Sequence, residues 1–407
     1  MYDGHSLLLG IWQQALAAVD GRRRVREALI DMPAGDPWQI IAVGKAAAAM
    51  TLGAIDALQS LAAHALVISK AGHFPAELDC HAQVEQLVAG HPVPDQNTLA
   101  AGARLFDLLA SMPSDRRILF LISGGSSSLV EVLPPGTSLQ DLQQLNTWAL
   151  ASGRDIEALN SIRKRLSLLK GGRLLSHLGG REVLALLISD VPRDDPNVIG
   201  SGLVGESAAE LLPSGLPSWL NALLARASAA DPAVRSCRIT RRVIATLDDA
   251  LAAAELAGRA MGFATGRDLR RFAGDAIELA TGFCHELKVG PPGLRIWGGE
   301  STVRLPAKPG RGGRNQHMAL AAARLLVSHD ELTFLAAGTD GTDGPTSDAG
   351  AIVDSETVER GMLGGLDADD CLARADSGAF LEASGDLVHS GPTGTNVGDL
   401  VLGIRHV

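Results

Sequence analysis

Aromatic residues, paired cysteines and long apolar runs are all scarce in this chain, and each shortage narrows what it can be. Aromatic side chains are 3% of the residues and Ala, Leu and Gly dominate, a composition common to globular enzymes and little more specific than that. The four cysteines, Cys80, Cys237, Cys284 and Cys371, are scattered with no Cys-x-x-Cys pair. That spacing fits a reduced, cytoplasmic protein without structural zinc. No apolar run approaches the ~18–20 residues that a membrane span requires. The N-terminus sets Asp3 and His5 before Leu7-Leu8-Leu9, with neither the basic start nor the small-residue cleavage site of a signal peptide. Positive charge is also short: 36 basic residues face 46 acidic ones, a net charge of −10. No basic stripe exists, which argues against nucleic acid as a partner. One local cluster, Arg163-Lys164-Arg165 with Lys170 and Arg173, suits a small anion better than a polymer.

What the chain does have is a repeated junction between a short apolar run and a polar loop. Residues 332–337 run into Gly338-Thr339-Asp340-Gly341-Thr342-Asp343-Gly344, with Asp348 a little beyond. Likewise 40–43 runs into Gly44-Lys45, 65–68 into Ser69-Lys70, and 118–122 into Ser123-Gly124-Gly125-Ser126-Ser127-Ser128. The run 183–188 ends at Ser189-Asp190, and 294–297 ends at Gly298-Gly299-Glu300. Short apolar runs closed by glycine read as buried parallel strands. Open α/β sheets take their ligands beyond the carboxyl ends of such strands. Glycines allow close backbone approach, and carboxylates suit a hard cation such as magnesium.

Strands alternate with helices twice along the 407 residues. A helical segment over 6–30, split near Asp20-Gly21, precedes strands at 40–43, 65–68, 84–89, 118–122 and 183–188. A Pro/Gly/Ser-rich stretch over 192–217 and a candidate linker over 227–238 follow. A second unit then begins with a strand at 242–246 and continues with strands at 294–297 and 332–337. This pattern predicts two α/β domains, 1–235 and 236–407, with largely parallel, Rossmann-like sheets and an active-site cleft between the domains.

The polar loops differ in chemistry. Gly44-Lys45 stands where a strand meets an Ala-rich helix, a place for phosphate against helix-start amides and a lysine. The turn Ser123–Ser128 can wrap an oxyanion with consecutive N–H groups. Arg314, behind Gly312-Gly313 at the start of a helix, presents a rigid fork to carboxylate or phosphate. His73 and His91 can line the crevice, but no metal-ligand spacing supports zinc. There is no Gly-x-x-x-x-Gly-Lys-Ser/Thr loop and no Gly-x-Ser-x-Gly elbow at this turn. Gly200-Ser201-Gly202-Leu203-Val204-Gly205 matches the dinucleotide fingerprint, yet the loop 189–199 separates it from the preceding strand, and the fingerprint needs that strand directly before it.

Taken in order, these blocks resemble the class II glycerate kinases, the MOFRL family, some of whose members are labelled hydroxypyruvate reductase. The resemblance spans nearly the whole chain. It runs through Val43-Gly44-Lys45-Ala46, Gly90-His91-Pro92-Val93-Pro94-Asp95, Ser123-Gly124-Gly125-Ser126-Ser127, Arg163-Lys164 with Lys170-Gly171-Gly172, and Ile188-Ser189-Asp190-Val191. It continues through Gly298-Gly299-Glu300, Gly312–Gln316, Gly338–Thr346 and Gly391-Pro392-Thr393-Gly394-Thr395-Asn396. Arg165, His317 and Leu203-Val204 depart from the family pattern.

The resemblance implies phosphoryl transfer from ATP to the 2-hydroxyl of D-glycerate with Mg2+. It implies Lys45, Asp190 and Arg314 as catalytic residues, Ser123, Gly124, Gly125, Ser126, Ser127 and Asn396 as phosphate- and substrate-binding residues, and Glu300 and Asp340 as metal-holding residues. The competing enzyme reading is an NAD(P)H-dependent hydroxypyruvate reductase; a third is a binding module without turnover. The expected partners are D-glycerate and ATP, with no membrane and no nucleic acid. A homodimer stays open.

Overall fold

The computed structural model describes residues 3–32, 35–152, 156–206, 212–227 and 237–406. The chain divides into two compact units, Gly21–Ala245 and a second made of Met1–Asp20 with Thr246–Val407. These bounds differ from the expected 1–235 and 236–407 at two places. The first helical segment breaks as expected into Gly4–Ala18 and Gly21–Leu29. The first of these helices packs on the later unit, against the helix Leu247–Ala260 and on that unit's sheet, because its buried face, Leu8, Ile11, Trp12 and Ala15, needs an apolar partner. The candidate linker 227–238 falls, apart from its ends, outside the described residues.

The unit Gly21–Ala245 holds a six-stranded sheet: β1 (Trp38–Val43), β2 (Ala62–Ser69), β3 (Val84–Val88), β4 (Arg117–Ile122), β5 (Glu182–Ile188) and β6 (Arg238–Ala245). Their order is β3-β2-β1-β4-β5-β6, and every pairing is parallel. β6 was expected to open the second domain. Instead its ladder with β5, closed by the Ser189 amide on the Ala245 carbonyl (2.9 Å), makes it the edge strand of the first sheet. β1 is buried along its whole length and β4 along all but its first residue, as helices covering both faces of a parallel sheet require. One apolar core joins Ile41, Val43, Phe120, Ile122, Ala185 and Leu187 to Leu105 and Leu109 of the helix Gln96–Ser111. That helix starts at a capping box between Asp95 and Thr98. The chain runs outward from β1 through β2 to β3, then returns beside β1 as β4 and continues to β6. The carboxyl ends of β1 and β4 therefore form a topological switch point, where open α/β sheets bind ligands.

The other unit also mixes strands and helices, but its sheet is not the largely parallel one expected. It comprises β7 (Thr265–Arg267), β8 (Phe272–Asp275), β9 (Gly293–Thr302), β10 (Leu332–Gly338), β11 (Gly350–Val353), β12 (Leu387–Val388) and β13 (Asp399–Arg405). The main path is β12-β11-β10-β13-β9-β7, with β8 also on β9. β13 lies antiparallel between β9 and β10, and β11 runs antiparallel to β10 and β12, leaving only the β7 and β8 pairings parallel. The short β10-to-β11 connection causes part of this, since a loop without a crossover helix returns the chain antiparallel. The helices Ala276–Val289 and Arg314–Leu326 pack on each other and on this sheet. Phe283 stacks on Trp297 between them and β9 (ring centroids 4.6 Å apart).

Candidate active site

In the first unit the turns after β1 and β4 interlock. Gly44 adopts φ +132°, and a Cβ there would stand 2.2 Å from Ser123 Oγ and 2.6 Å from the Ser123 carbonyl oxygen. Only glycine permits that approach. The Ser123 amide donates to the Val43 carbonyl (3.1 Å), the Lys45 amide to the Gly124 carbonyl (2.9 Å) and the Ala46 amide to Ser123 Oγ (3.0 Å). Ser69 at the end of β2 donates to the Gly44 carbonyl (2.8 Å). Lys45, half-buried, thus enters the helix Ala47–Leu58 from a backbone fixed on three strand ends.

Both histidines singled out in the sequence gather here. His73 Nδ1 meets the Lys45 carbonyl at 2.9 Å, and a carbonyl can only accept, so Nδ1 carries the proton. Gly125, with φ +85°, would place a Cβ 3.1 Å from His91 Nε2 and 3.2 Å from Lys45 Cγ. Ser127 Oγ lies 2.7 Å from Ser201 Oγ, and Ser201 donates on to Asn160 Oδ1 (3.1 Å). Ser126 is buried, and its Oγ has no hydrogen-bond partner among the described residues. Asp190 follows β5, next to β4 in the parallel sheet, and so lies along the same sheet end as Lys45 and Ser123.

One reading changes and one holds. The basic cluster does not offer Lys170 to an anion: Lys170 Nζ pairs with Glu131, with both side chains almost wholly buried. Burial, outweighing Lys170, raises the Glu131 pKa. The Gly200–Gly205 fingerprint sits on the tight turn Ile199–Ser201, well past the end of β5, where no strand runs into a helix. The reductase reading loses its phosphate-binding turn.

In the second unit, the ends of β9 and β10 and the start of β13 carry the acids. Register places Asp399 opposite Gly299 on one side and Gly338 on the other. Arg314, at the start of its helix, donates from Nε to Asp399 Oδ2 (2.6 Å) and from Nη2 to Asp399 Oδ1 (3.0 Å), while Nη1 meets Glu300 Oε1. Asp399 is buried, whereas Glu300 is exposed. Burial alone would lower the Arg314 pKa, but Asp399 and Glu300 outweigh it and raise it. A Cβ on Gly338 would stand 3.3 Å from Asp340 Oδ1 and 3.5 Å from Asp399 Oδ1, so these carboxylates flank one glycine. Asp340 Oδ1 also accepts from the Thr342 amide (2.9 Å) and hydroxyl (3.1 Å). Asp343 is fully enclosed, and burial pushes its carboxyl up to about 7. Asn396, buried, lies in the loop that Thr339 pins through the Gly398 carbonyl (3.0 Å from its amide) and the Val397 amide (2.9 Å to its Oγ1).

The predicted site residues therefore fall into two sets, one per unit. Lys45, Ser123, Gly124, Gly125, Ser126, Ser127 and Asp190 belong to one sheet end, and Glu300, Arg314, Asp340 and Asn396 to the other. Sequence reasoning missed Asp399, the bidentate partner of Arg314. Its signal was present: an acid between a Gly/Thr loop and the apolar run Leu400-Val401-Leu402.

Magnesium can be judged against the second set. Among the described residues no three His, Cys, Asp or Glu side chains form a cage for an ion. Mg2+, however, commonly uses one or two carboxylates and completes its shell with water and substrate phosphates. Both Asp399 oxygens are taken by Arg314 and both Asp343 oxygens by backbone amides, which leaves Asp340 and Glu300 to fit that role. Glu300 would exchange the Arg314 guanidinium for the ion.

Comparison with known proteins gives the family. Residues 7–210 match the Domain of unknown function DUF4147, and residues 293–399 match the MOFRL family. The chain is 34% identical to the D-glycerate 2-kinase of Thermotoga maritima, over 99% of this chain and 100% of that one. It is 31% identical to the glycerate 2-kinase of Pyrococcus horikoshii, over 90% of this chain and 86% of that one. The crystal structure of glycerate kinase from Thermotoga maritima superposes with a TM-score of 0.81 at 32% identity, over 99% of each chain. The α/β architecture is thus shared over whole chains. The protein belongs to the MOFRL family of glycerate 2-kinases.

Proposed function

We propose that this enzyme transfers the γ-phosphoryl group of ATP to the 2-hydroxyl of D-glycerate, giving 2-phosphoglycerate and ADP. The observation that carries the reading is similarity along the full length of both chains to a D-glycerate 2-kinase. Full-length similarity matters because the candidate residues are spread from Lys45 to Asn396, and a partial match would include only one set.

Phosphoryl transfer needs positioning and charge neutralisation more than covalent help. In the proposed mechanism the glycerate 2-hydroxyl oxygen bonds to the γ-phosphorus as the bond to the ADP oxygen breaks. Asp190 orients that hydroxyl and receives its proton. Lys45 and the amides of the Ser123–Ser127 turn hold phosphate oxygens. The turn's Ser123, Ser126 and Ser128 amides are already committed to carbonyls, which leaves this task to those of Gly124, Gly125 and Ser127. Arg314 clamps the glycerate carboxylate or the γ-phosphate. Asn396 fixes the substrate. Bound magnesium, held by Asp340 and Glu300, would neutralise charge on the phosphate oxygens. We propose that both sets of residues serve this one reaction, and we place it in the cytoplasm, in keeping with four free thiols.

The test is direct. Phosphorus NMR of the product from D-glycerate and ATP should show a phosphate ester at the 2-position, with ADP formed in equal amount. A 3-phosphate would correct the regiochemistry. NADH loss with hydroxypyruvate, in place of ADP formation, would establish the reductase and overturn the kinase.

A further inference from the structure

The helix that carries Arg314 begins without a cap of its own. Its first amides have no partners within the helix, and the N-cap residue is Gly313, which has no side chain to offer. Most helices solve this locally with Ser, Thr, Asp or Asn at the cap. Here the acceptor comes from the loop after β10. Asp343 Oδ1 accepts the Asn315 amide (3.1 Å) and Oδ2 accepts the Gln316 amide (2.8 Å). Both carboxylate oxygens are used, and the side chain is 2% exposed.

The backbone is shaped around this contact. A Cβ on Gly313 would fall 2.3 Å from Asp343 Cγ, so only glycine lets the helix start rest on the carboxylate. Gly344, with φ +59°, brings the loop against the Gly312 carbonyl, where its Cβ would stand at 2.8 Å. A second tie runs beside the first: Gln316 Nε2 donates to Thr346 Oγ1 (2.8 Å), and Thr346 Oγ1 donates to the Asp343 carbonyl (2.8 Å). Arg314 lies between Gly313 and Asn315, the two residues that press on or bond to this carboxylate. Its guanidinium meanwhile reaches Asp399 and Glu300 on other strands.

We infer that Asp343 is a positioning residue for Arg314: by taking the Asn315 and Gln316 amides it sets the helix start from which the guanidinium reaches Asp399, Glu300 and the anionic substrate. The inference rests on the proposed role of Arg314. Asp343 makes no hydrogen bond to the guanidinium and acts through the backbone. In Asp343→Asn the side chain keeps one acceptor oxygen but turns an NH2 toward the second amide. The helix start must then shift, and a shift of this kind at a catalytic arginine costs roughly 10- to 100-fold in turnover.

The experiment compares kcat and KM, with active-site concentration determined, for the wild type, Arg314→Ala, Arg314→Lys, Asp343→Asn and Arg314→Lys/Asp343→Asn. The expected result is a kcat for Asp343→Asn lowered roughly 10- to 100-fold, KM for ATP within about threefold, and a double variant no worse than Arg314→Lys by more than about twofold. Wild-type kcat in Asp343→Asn, or losses that multiply in the double variant, would overturn the inference. Should Asp343→Asn fail to fold, Asp343→Ser, which keeps a short acceptor at the helix start, is compared with Asp343→Ala. Turnover in Asp343→Ser above that of Asp343→Ala supports positioning through the helix start, and equal turnover in the two folded variants refutes it. Near-normal turnover in Arg314→Ala would remove the reading of Arg314 itself. Loss of turnover there, with Asp343→Asn unaffected, would remove only the role of Asp343.

Discussion

Lys170 and Glu131 form an ion pair with side chains 3% and 2% exposed, and Ser167 donates to the other oxygen of the same carboxylate at 2.5 Å. Ser167 Oγ also accepts the Leu169 and Lys170 amides (3.1 and 3.0 Å), which turns the chain after the helix Ile156–Arg165. The Leu168 amide bonds the Val132 carbonyl (2.8 Å), so the pair joins the segment leaving the Ser123–Ser128 turn to the glycines Gly171 and Gly172. Removing one partner of a buried pair leaves an uncompensated charge. Lys170→Met should therefore destabilise the protein by about 3–5 kcal/mol, whereas Lys170→Met/Glu131→Leu should recover most of that loss. Chemical denaturation of the two single variants and the double variant measures the coupling. Additive losses would show that the pair does not act as a unit.

Lys45 offers a test of the phosphate site. Its backbone is held by the Gly124 carbonyl and that of Ala46 by Ser123 Oγ, so trimming the side chain to alanine leaves this support in place and removes the ammonium with its stem. Lys45→Ala should lose on the order of 100-fold or more in kcat with an unchanged melting temperature. Near-normal turnover would strike Lys45 from the site.

Gly44→Ala should fail for a different reason. The added methyl would meet Ser123 Oγ at 2.2 Å and strain a backbone at φ +132°. Both turns must move apart, so stability should fall by about 1–3 kcal/mol, with kcat falling alongside. A variant with normal stability and activity would show that the two turns are not held together by this contact.

Arg314 should not tolerate lysine. Its fork spans both oxygens of Asp399, and a lysine presents a point charge in place of two parallel donors. Arg314→Lys should lower kcat by about 100-fold, while Glu300→Gln, which removes an exposed partner, should change stability by less than ~1 kcal/mol. If Glu300 helps to hold magnesium, Glu300→Gln will also need more Mg2+ for half-maximal turnover. Titration of activity with Mg2+ separates the two effects, and an unaltered Mg2+ dependence would remove Glu300 from the metal site.

His5 gives a pH-dependent stability. Its Nε2 lies 2.8 Å from Asp354 Oδ2, and Asp354 is also held by Arg360 (2.9 Å). Burial works to lower the imidazole pKa, but the Asp354 contact outweighs it and raises the pKa above 6.5. A raised folded-state pKa makes the contribution full below the unfolded value, near 6.5, and removes it as pH climbs through the folded value. Melting curves between pH 5.5 and 8.5 should show the wild type losing about 1 kcal/mol relative to His5→Gln across that window. Parallel curves for the two proteins would show that the pair contributes nothing.

Much of the first unit was legible along the chain because its signals are local. The buried part of a parallel strand must be apolar, and the loop at its carboxyl end is polar, so each of β1, β2, β4 and β5 announces its buried segment and its candidate site residues, while the first residues of β1 and β2 go unmarked. The second unit was harder to read. β13 pairs with β9 and β10 through residues far from it in sequence, and nothing within 399–405 specifies an antiparallel place between them. Asp399 went unrecognised for the same reason, since its role exists only once Arg314 is beside it.

Sequence alone determined the α/β class and the family and named the candidate residues for the chemistry, because strand patterning and helix entry are written in neighbours a few positions away. Tertiary structure decided which charges are committed to one another: Lys170 to Glu131, Arg314 to Asp399 and Glu300, the first amides of the arginine's helix to Asp343. A charge's availability depends on burial and on the atoms within a few ångströms, and folding alone assigns those.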